Sequence, residues 1–263
     1  MSLDGITAVV TRPAHQGRAL CAAIERRGGN AIALPVIDIQ PPADEARFAR
    51  ELARLADFDI AIFTSANAVD AVAEALGSAH PWPERTVLAA VGRATANALT
   101  RHGLPVTLVA PPPFSSESLL SLPALQRVAG KRVVILRGQQ GRALLGDTLR
   151  QRGAEVSHVE SYRRIPGRPD PAPLYRAWEA GCPVFIVVTS NEGLENLVGL
   201  VDAPYHRQLF NTQLIVVSQR ALPLAARLGF VHPPLVASEA SNNAIVCAME
   251  DQIQQRAQRG PRP

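Results

Sequence analysis

The chain has 263 residues, of which 47% are hydrophobic, and this suits one large domain or two small ones with a real core. Its formal net charge is +4. Lys131 is the only lysine, and every other basic residue apart from the histidines is an arginine. The basic residues are scattered and only 5% of the chain is aromatic, so no nucleic-acid surface is predicted. No apolar run reaches the ~18 residues of a membrane span.

The three cysteines are far apart and form no CxxC pair, which argues against both a disulfide framework and a zinc site. The N-terminus lacks the basic and then apolar layout of a secretory signal. We therefore expect a cytoplasmic protein without a metal, whose cysteines are buried small hydrophobes.

Short apolar runs alternate with helix-sized segments along the chain, which predicts parallel sheets covered by helices on both faces. The predicted strands, in chain order, are ITAVVT (6–11), IAIF (60–63), TVLAAV (86–91), PVTLV (105–109), RVVIL (132–136), AEVSHV (154–159), VFIVV (184–188), QLIVV (213–217) and PLVA (234–237).

Six segments of the first half recur in order in the second half, at an offset of 124 to 126 positions. Thr64-Ser65 after IAIF, for example, recurs as Thr189-Ser190 after VFIVV. A repeat of this length predicts an internal duplication into two similar doubly wound α/β domains. Ligands of open parallel sheets bind beyond the carboxyl ends of the strands, so we expect the polar turns of both halves to line one cleft.

Thr64, Ser65 and Asn67 in the first half, and Ser190 in the second, lie where a strand gives way to a helix. A serine there is a favoured helix cap, which is a purely structural role. The same helix end also presents N–H groups that suit an anionic ligand. Repetition does not decide between the two roles, because a duplication copies caps as well.

A second turn, AVGRATANAL (90–99), places Gly92 at a strand end and Thr95 in the first helical turn. Its copy carries Ser218 in place of the glycine and Ala221 in place of the threonine, so the halves have diverged there. Neither this turn nor RGQQGRALL (137–145) is a dinucleotide or P-loop fingerprint, so a nucleotide-dependent enzyme is a weak alternative.

Arg12 and Arg137 are equivalent arginines at strand ends, one in each half. Each is either a surface or capping residue or a contact for a carboxylate in the cleft. Tyr162 lies in SYRRIP (161–166), just after the predicted strand AEVSHV and near the crossover between the halves, where it either packs a hinge or donates a proton. No catalytic triad or metal-binding spacing is present, so catalysis would depend on positioning and mild acid chemistry.

The ordered set VVTRP, IFTSANAV, AVGRATANAL, SSESLL, VVILRG, VESYRR, VVTSNEGLENL and VVSQRA resembles the uroporphyrinogen-III synthase family, from about residue 6 to 250. The resemblance implies a lyase that closes the linear tetrapyrrole hydroxymethylbilane into uroporphyrinogen III. Water is lost and ring D is inverted through a spiro intermediate, and no cofactor is used. It also implies that Tyr162 is the catalytic acid, and that Thr95 and the two Thr-Ser turns bind substrate.

In that family the chain starts in one domain, crosses to the second and returns. The resemblance therefore implies a first domain of residues 1–35 with 167–263, a second of 41–159, and two linking strands at 36–40 and 160–166. The substrate-binding residues expected overall are Arg12, Thr64, Ser65, Asn67, Gly92, Thr95, Arg137, Ser190 and Ser218.

The expected partner is the small-molecule substrate, a linear tetrapyrrole, and neither nucleic acid nor a membrane is expected. We expect a monomer and leave open a transient contact with the preceding pathway enzyme. The alternative function is a non-catalytic two-domain binding protein for an anionic small molecule.

Overall fold

The protein is described from a computed structural model in which residues 2–77, 82–139, 141 and 143–259 are described. The strands of this part are β1 (Thr7–Val10), β2 (Asn30–Ala33), β3 (Ile37–Gln40), β4 (Ile60–Phe63), β5 (Val87–Ala90), β6 (Val106–Val109), β7 (Arg132–Gly138), β8 (Glu155–Pro166), β9 (Val184–Val188), β10 (Gln213–Val216) and β11 (Leu235–Val236).

The α-helices between and after the strands are α1 (Ala14–Glu25), α2 (Glu45–Leu52), α3 (Ala66–Leu76), α4 (Arg93–Arg101), α5 (Ser116–Leu120), α6 (Pro123–Gln126), α7 (Leu144–Gln151), α8 (Ala172–Glu179), α9 (Asn191–Leu200), α10 (His206–Asn211), α11 (Ala221–Leu228) and α12 (Asn242–Arg259). Two 3₁₀ turns lie at Leu55–Asp57 and Ala203–Tyr205.

The chain forms two compact units. Unit 1 comprises Met1–Asp38 with Ile165–Pro263, and unit 2 comprises Ile39–Arg164. The chain leaves unit 1 within β3 and returns to it within β8, so both boundaries fall in the segments 36–40 and 160–166.

Unit 1 contains a five-stranded sheet with the order β11-β10-β9-β1-β2, and each pairing is parallel. On one face, Ala8 and Val10 of β1 and Val187 of β9 pack with Leu20 of α1 and Met249 of α12. The strands are apolar throughout because a parallel sheet is buried on both faces.

Unit 2 contains a six-stranded sheet with the order β3-β8-β7-β4-β5-β6, and the pairings from β8 to β6 are parallel. Alternate residues of β4 serve opposite faces. Ala61 and Phe63 pack with α2, α3 and α4, whereas Ile60 and Ile62 pack with α5, α6 and α7. This period of two explains why IAIF reads as an unbroken apolar run.

The two sheets share one strand order over five strands, which confirms the doubly wound fold and the duplication. The run β2-β1-β9-β10-β11 of unit 1 matches β8-β7-β4-β5-β6 of unit 2. The pair β1–β2 comes from the start of the chain, whereas its counterpart β7–β8 follows the other strands of unit 2. The first strand–helix–strand segment has therefore exchanged places between the repeats.

Three expectations need correction. The strand β2 was not predicted, because NAIA has one large apolar residue and is only half buried at the sheet edge. AEVSHV and the segment 160–166 form one continuous strand, β8, which lies beside β3 in the sheet of unit 2. The cysteines are not buried: Cys182 is exposed, and Cys21 and Cys247 are partly exposed.

None of the three cysteines is in a disulfide. Within the described ranges, no helix is long and apolar enough to cross a membrane. The same part of the chain holds no group of three or more histidine, cysteine, aspartate or glutamate residues that could bind a metal ion.

Candidate functional site

The two Thr-Ser turns form matching helix caps. Ser65 has an extended backbone, and its side chain accepts a hydrogen bond from Ala68 N at 3.2 Å at the start of α3. Ser190 accepts one from Gly193 N at 3.0 Å at the start of α9. Each serine thereby satisfies an amide that the helix leaves unpaired, as the capping interpretation requires.

Ser65 has a second partner, the catalytic candidate Tyr162. The Ser65 Oγ and Tyr162 hydroxyl oxygens are 3.1 Å apart, and either can donate. Tyr162 lies on β8 and Ser65 follows β4, with β7 between the two strands. The tyrosine ring therefore has to cross β7 to reach the serine.

Gly138 of β7 makes this crossing possible. It is paired with Tyr162 just after a register shift in the β7–β8 ladder. A Cβ atom at Gly138 would lie 2.8 Å from Tyr162 Cζ, closer than packed carbon atoms come. The ring therefore occupies the space that the glycine leaves free, and Tyr162 is only 5% exposed.

Unit 1 has no such tyrosine at the equivalent position. Gly28 and Gly153 mark equivalent turns, with φ of 82° and 86°. At the same spacing, Tyr162 corresponds to Ile37, which is buried. The side chain of Ile37 lies near Gly193, since its Cδ1 would be 3.7 Å from a Cβ there. The duplicated cap thus meets a hydroxyl in unit 2 and an apolar side chain in unit 1.

Thr64 and Asn67 lie beside the Ser65 cap and are partly committed to the scaffold. The Thr64 hydroxyl points to the backbone oxygen of Leu136 in β7, at 3.4 Å. Asn67 lies in the first turn of α3 and is 6% exposed.

The turn at Gly92 has empty space where a side chain would lie. Gly92 caps α4 without a side chain, and a Cβ there would meet no atom within 4 Å. First-turn amides of α4 thus have no side-chain cap. Thr95 in that turn is 4% exposed, and its hydroxyl has no hydrogen-bond partner among the described residues.

Ser218, in the diverged copy of this turn, is exposed and has a local role. Its hydroxyl accepts a hydrogen bond from Arg220 N at 3.3 Å. The helix α11 then begins only at Ala221, without a side-chain cap. The turn in unit 1 therefore differs from its counterpart in unit 2 in conformation as well as in sequence.

The two equivalent arginines differ in their surroundings. Arg12 Nη1 donates to Asn242 Oδ1 at 2.8 Å, and burial lowers the pKa of this guanidinium. Arg137 Nη1 donates weakly to the Gly141 oxygen at 3.3 Å, and its Nε is buried without a partner. Each guanidinium retains N–H groups that a carboxylate ligand would satisfy.

Two further serine caps were not among the predicted site residues. Ser115 accepts from Ser118 N at 3.2 Å at the start of α5, and Ser241 accepts from Ala244 N at 3.1 Å at the start of α12. The matched segments SSESLL and EASNNAIV carried the signal, because Ser115 and Ser241 lie 126 positions apart, within the offset of the repeat.

The chain is similar to known proteins over most of its length. Residues 18–247 match the family model described as Uroporphyrinogen-III synthase HemD. The uroporphyrinogen-III synthase of Escherichia coli is 37% identical over 244 residues, which is 92% of this chain and 99% of that protein. The one from Salmonella typhimurium is also 37% identical, over 245 residues and the same shares.

Solved structures share the fold at lower sequence identity. A uroporphyrinogen-III synthetase from Helicobacter pylori has a TM-score of 0.61 at 16% identity, covering 95% of this chain and 99% of that one. A mutant uroporphyrinogen III synthase from Thermus thermophilus has a TM-score of 0.58 at 21% identity, covering 95% and 100%. The family match and the bacterial relatives lead to one conclusion: this chain belongs to the uroporphyrinogen-III synthase family.

Proposed function

We propose that the chain is an active uroporphyrinogen-III synthase, a lyase of haem biosynthesis. It converts hydroxymethylbilane into uroporphyrinogen III, with loss of water and inversion of ring D. Among the structural observations, the contact between Tyr162 and Ser65 supports the proposal most, because the tyrosine hydroxyl lies beside the helix N-terminus that follows β4.

The first chemical step needs an acid. Tyr162 donates its hydroxyl proton to the hydroxymethyl oxygen of the substrate, the C–O bond breaks, and water leaves. The nitrogen of the same pyrrole supplies the electron pair that replaces the lost bond. The resulting electron-poor carbon is then attacked by ring D, which forms the spiro intermediate.

Ser65 assists by stabilising the tyrosinate that remains. Its hydroxyl donates to the tyrosinate oxygen across the 3.1 Å contact while its Oγ still accepts from Ala68 N. The N-terminus of α3 adds its partial positive charge at the same place. Both interactions are stronger with the anion than with the neutral tyrosine, so they favour proton transfer.

The substrate has eight carboxylates, and the predicted binding residues suit them. Arg12 and Arg137 offer N–H groups without a carboxylate partner of their own among the described residues. The first turn of α4 behind Gly92 offers backbone amides. We propose that these groups, with Thr64, Asn67, Thr95, Ser190 and Ser218, hold the substrate, and that the reaction uses no cofactor.

The test is the isomer that the purified protein produces from hydroxymethylbilane. The proposal requires the type III isomer in excess of the spontaneous type I product. Type I alone would overturn it, and binding of the tetrapyrrole without turnover would instead identify a binding protein.

We also propose that the enzyme works as a monomer in the cytoplasm. The three free cysteines are compatible with a reducing compartment. Sedimentation of the purified protein across a range of concentrations tests the oligomeric state.

A further inference from the structure

A groove of about 490 Å³ runs along helix α1 of unit 1. Its lining includes the small apolar residues Val10, Gly17 and Ala33. It also includes the charged residues Arg12, Arg18 and Glu25. This volume lies in the range of small-molecule sites.

The groove exists because β2 is a short edge strand with mostly small side chains. Its sequence, NAIA, places small side chains beside α1, and β2 is the last strand of its sheet. On α1, Gly17 faces Val10, where a Cβ would lie 3.4 Å from Val10 Cγ1. Small residues on both walls leave the space between helix and strand unfilled.

The positive charge of Arg12 in the groove is paired with a neutral amide rather than with an anion. Arg12 is half-buried, and within the described chain the Asn242 amide is its only hydrogen-bond partner. Removing a guanidinium from water costs free energy when no anion balances its charge. A carboxylate ligand would remove that cost. Burial has already lowered the pKa of Arg12, as expected of a cation that lacks a counterion.

The second arginine and the glutamate lie further along the same helix. Arg18 and Glu25 are seven residues apart and therefore share a face of α1, separated by roughly 10 Å along its axis. The groove thus offers two arginines for carboxylates and, further along, one carboxylate that accepts an N–H. A pyrrole with acidic arms has both complementary features.

We propose that this groove binds one acidic pyrrole of the tetrapyrrole, with its carboxylate arms on Arg12 and Arg18 and its ring N–H facing Glu25. The inference rests on the proposed function for the identity of the ligand. It assigns to unit 1 a subsite that lies along α1 and β2.

Cys21 also lines the groove and supplies a built-in reporter. Burial and the nearby Glu25 raise the pKa of its thiol, so labelling with a maleimide is best followed above neutral pH. Cys182 is exposed and does not line the groove, so it serves as the control thiol in the same molecule.

The experiment measures labelling of each cysteine by peptide mass spectrometry, with and without a synthetic pyrrole that carries two carboxylate arms. The diamide of the same pyrrole is the matched neutral probe. We expect the dicarboxylate to slow labelling of Cys21 at least five-fold and to leave Cys182 unchanged. Equal protection of Cys21 by the diamide, or protection of Cys182 as well as Cys21, would overturn the inference.

Two variants test the residues. Arg12→Gln keeps a side-chain N–H donor but loses the charge, and it should weaken protection of Cys21 at least ten-fold in probe concentration. Arg18→Gln should weaken it by a smaller factor. Unchanged protection in Arg12→Gln, with the far-ultraviolet circular dichroism of the wild type, would contradict the assignment.

Failure of the groove assignment can be distinguished from failure of the proposed function. Type III product from the wild type together with an unprotected Cys21 would remove only the groove. Protection of Cys21 without any turnover would remove the enzymatic proposal and leave a carboxylate-binding groove.

Discussion

The hydroxyl groups of Ser65 and Tyr162 lie 3.1 Å apart, joined across strand β7 at Gly138. The equivalent cap in unit 1, Ser190, has Ile37 at the position that corresponds to the tyrosine. One duplicated scaffold therefore carries a polar pair in one unit and an apolar neighbour in the other. A single acid suits a reaction in which one hydroxyl group leaves.

The two caps provide a matched pair of variants. Ser65→Ala and Ser190→Ala each lose one hydrogen bond to a first-turn amide, so each should lower the free energy of unfolding by about 1 kcal/mol. Only Ser65→Ala also removes the partner of Tyr162, so its turnover should fall at least five-fold further than that of Ser190→Ala. Urea unfolding and steady-state kinetics check both statements. Equal kinetic effects would mean that Ser65 gives Tyr162 no assistance in catalysis.

Gly138 should not tolerate a side chain. Gly138→Ala places a Cβ 2.8 Å from Tyr162 Cζ, so the ring must move away from Ser65. We expect a loss of about 1–3 kcal/mol in unfolding free energy, as in other overpacked sites, together with reduced turnover.

Gly199 in α9 is the control for Gly138, because a Cβ there meets nothing within 4 Å. Gly199→Ala should stabilise the protein by about 0.5–1 kcal/mol, since alanine favours a helix, and leave turnover unchanged. A Gly138→Ala protein with normal stability and turnover would show that the ring does not need this space.

His158 should make the protein sensitive to acid. The ring lies under α7, with Nε2 2.7 Å from where a Cβ of Gly146 would be, and its Nδ1 is buried without a partner. Burial lowers the pKa of His158, the neighbouring Arg137 and Arg150 lower it further, and Asp147 opposes them.

The sign of the pH effect follows from that shift. Because the pKa is lower in the folded than in the unfolded chain, the unfolded chain binds the proton first. The stabilisation is complete above the unfolded pKa of about 6.5 and is lost as the pH falls below it. Urea unfolding at several pH values should show a smaller loss in acid for His158→Gln than for the wild type. The exposed His232→Gln is the control and should follow the wild type. Parallel curves for all three would contradict the assignment to His158.

Much of the fold could be predicted from residues buried on both faces of a sheet. The bounds of β4 and β9 agree with the runs IAIF and VFIVV, because each residue of these strands has to be apolar. The edge strand β2 escaped prediction because an edge needs little apolar surface, and NAIA has little.

The sequence supplied candidate residues for the site but not the contacts between them. Ser65 and Tyr162 were both expected in it, yet their pairing depends on a register shift in β7–β8 and on a missing Cβ at Gly138. Similarly, Arg12 was expected to face a ligand, but its bond to Asn242 joins residues far apart in sequence. Such contacts arise from tertiary geometry, which no local pattern encodes. The expected cleft and the substrate contacts stay predictions.

The most direct test of the account is the turnover of Tyr162→Phe with hydroxymethylbilane. Phenylalanine keeps the buried ring over Gly138 and removes only the hydroxyl, so folding should be retained. If Tyr162 is the acid, kcat for the type III isomer should fall at least ten-fold with little change in KM. Tyr175→Phe is the control, because it removes a tyrosine hydroxyl that bonds to Asp202 and not to Ser65. A Tyr162→Phe enzyme with the kcat of the wild type would show that Tyr162 only packs against the sheet.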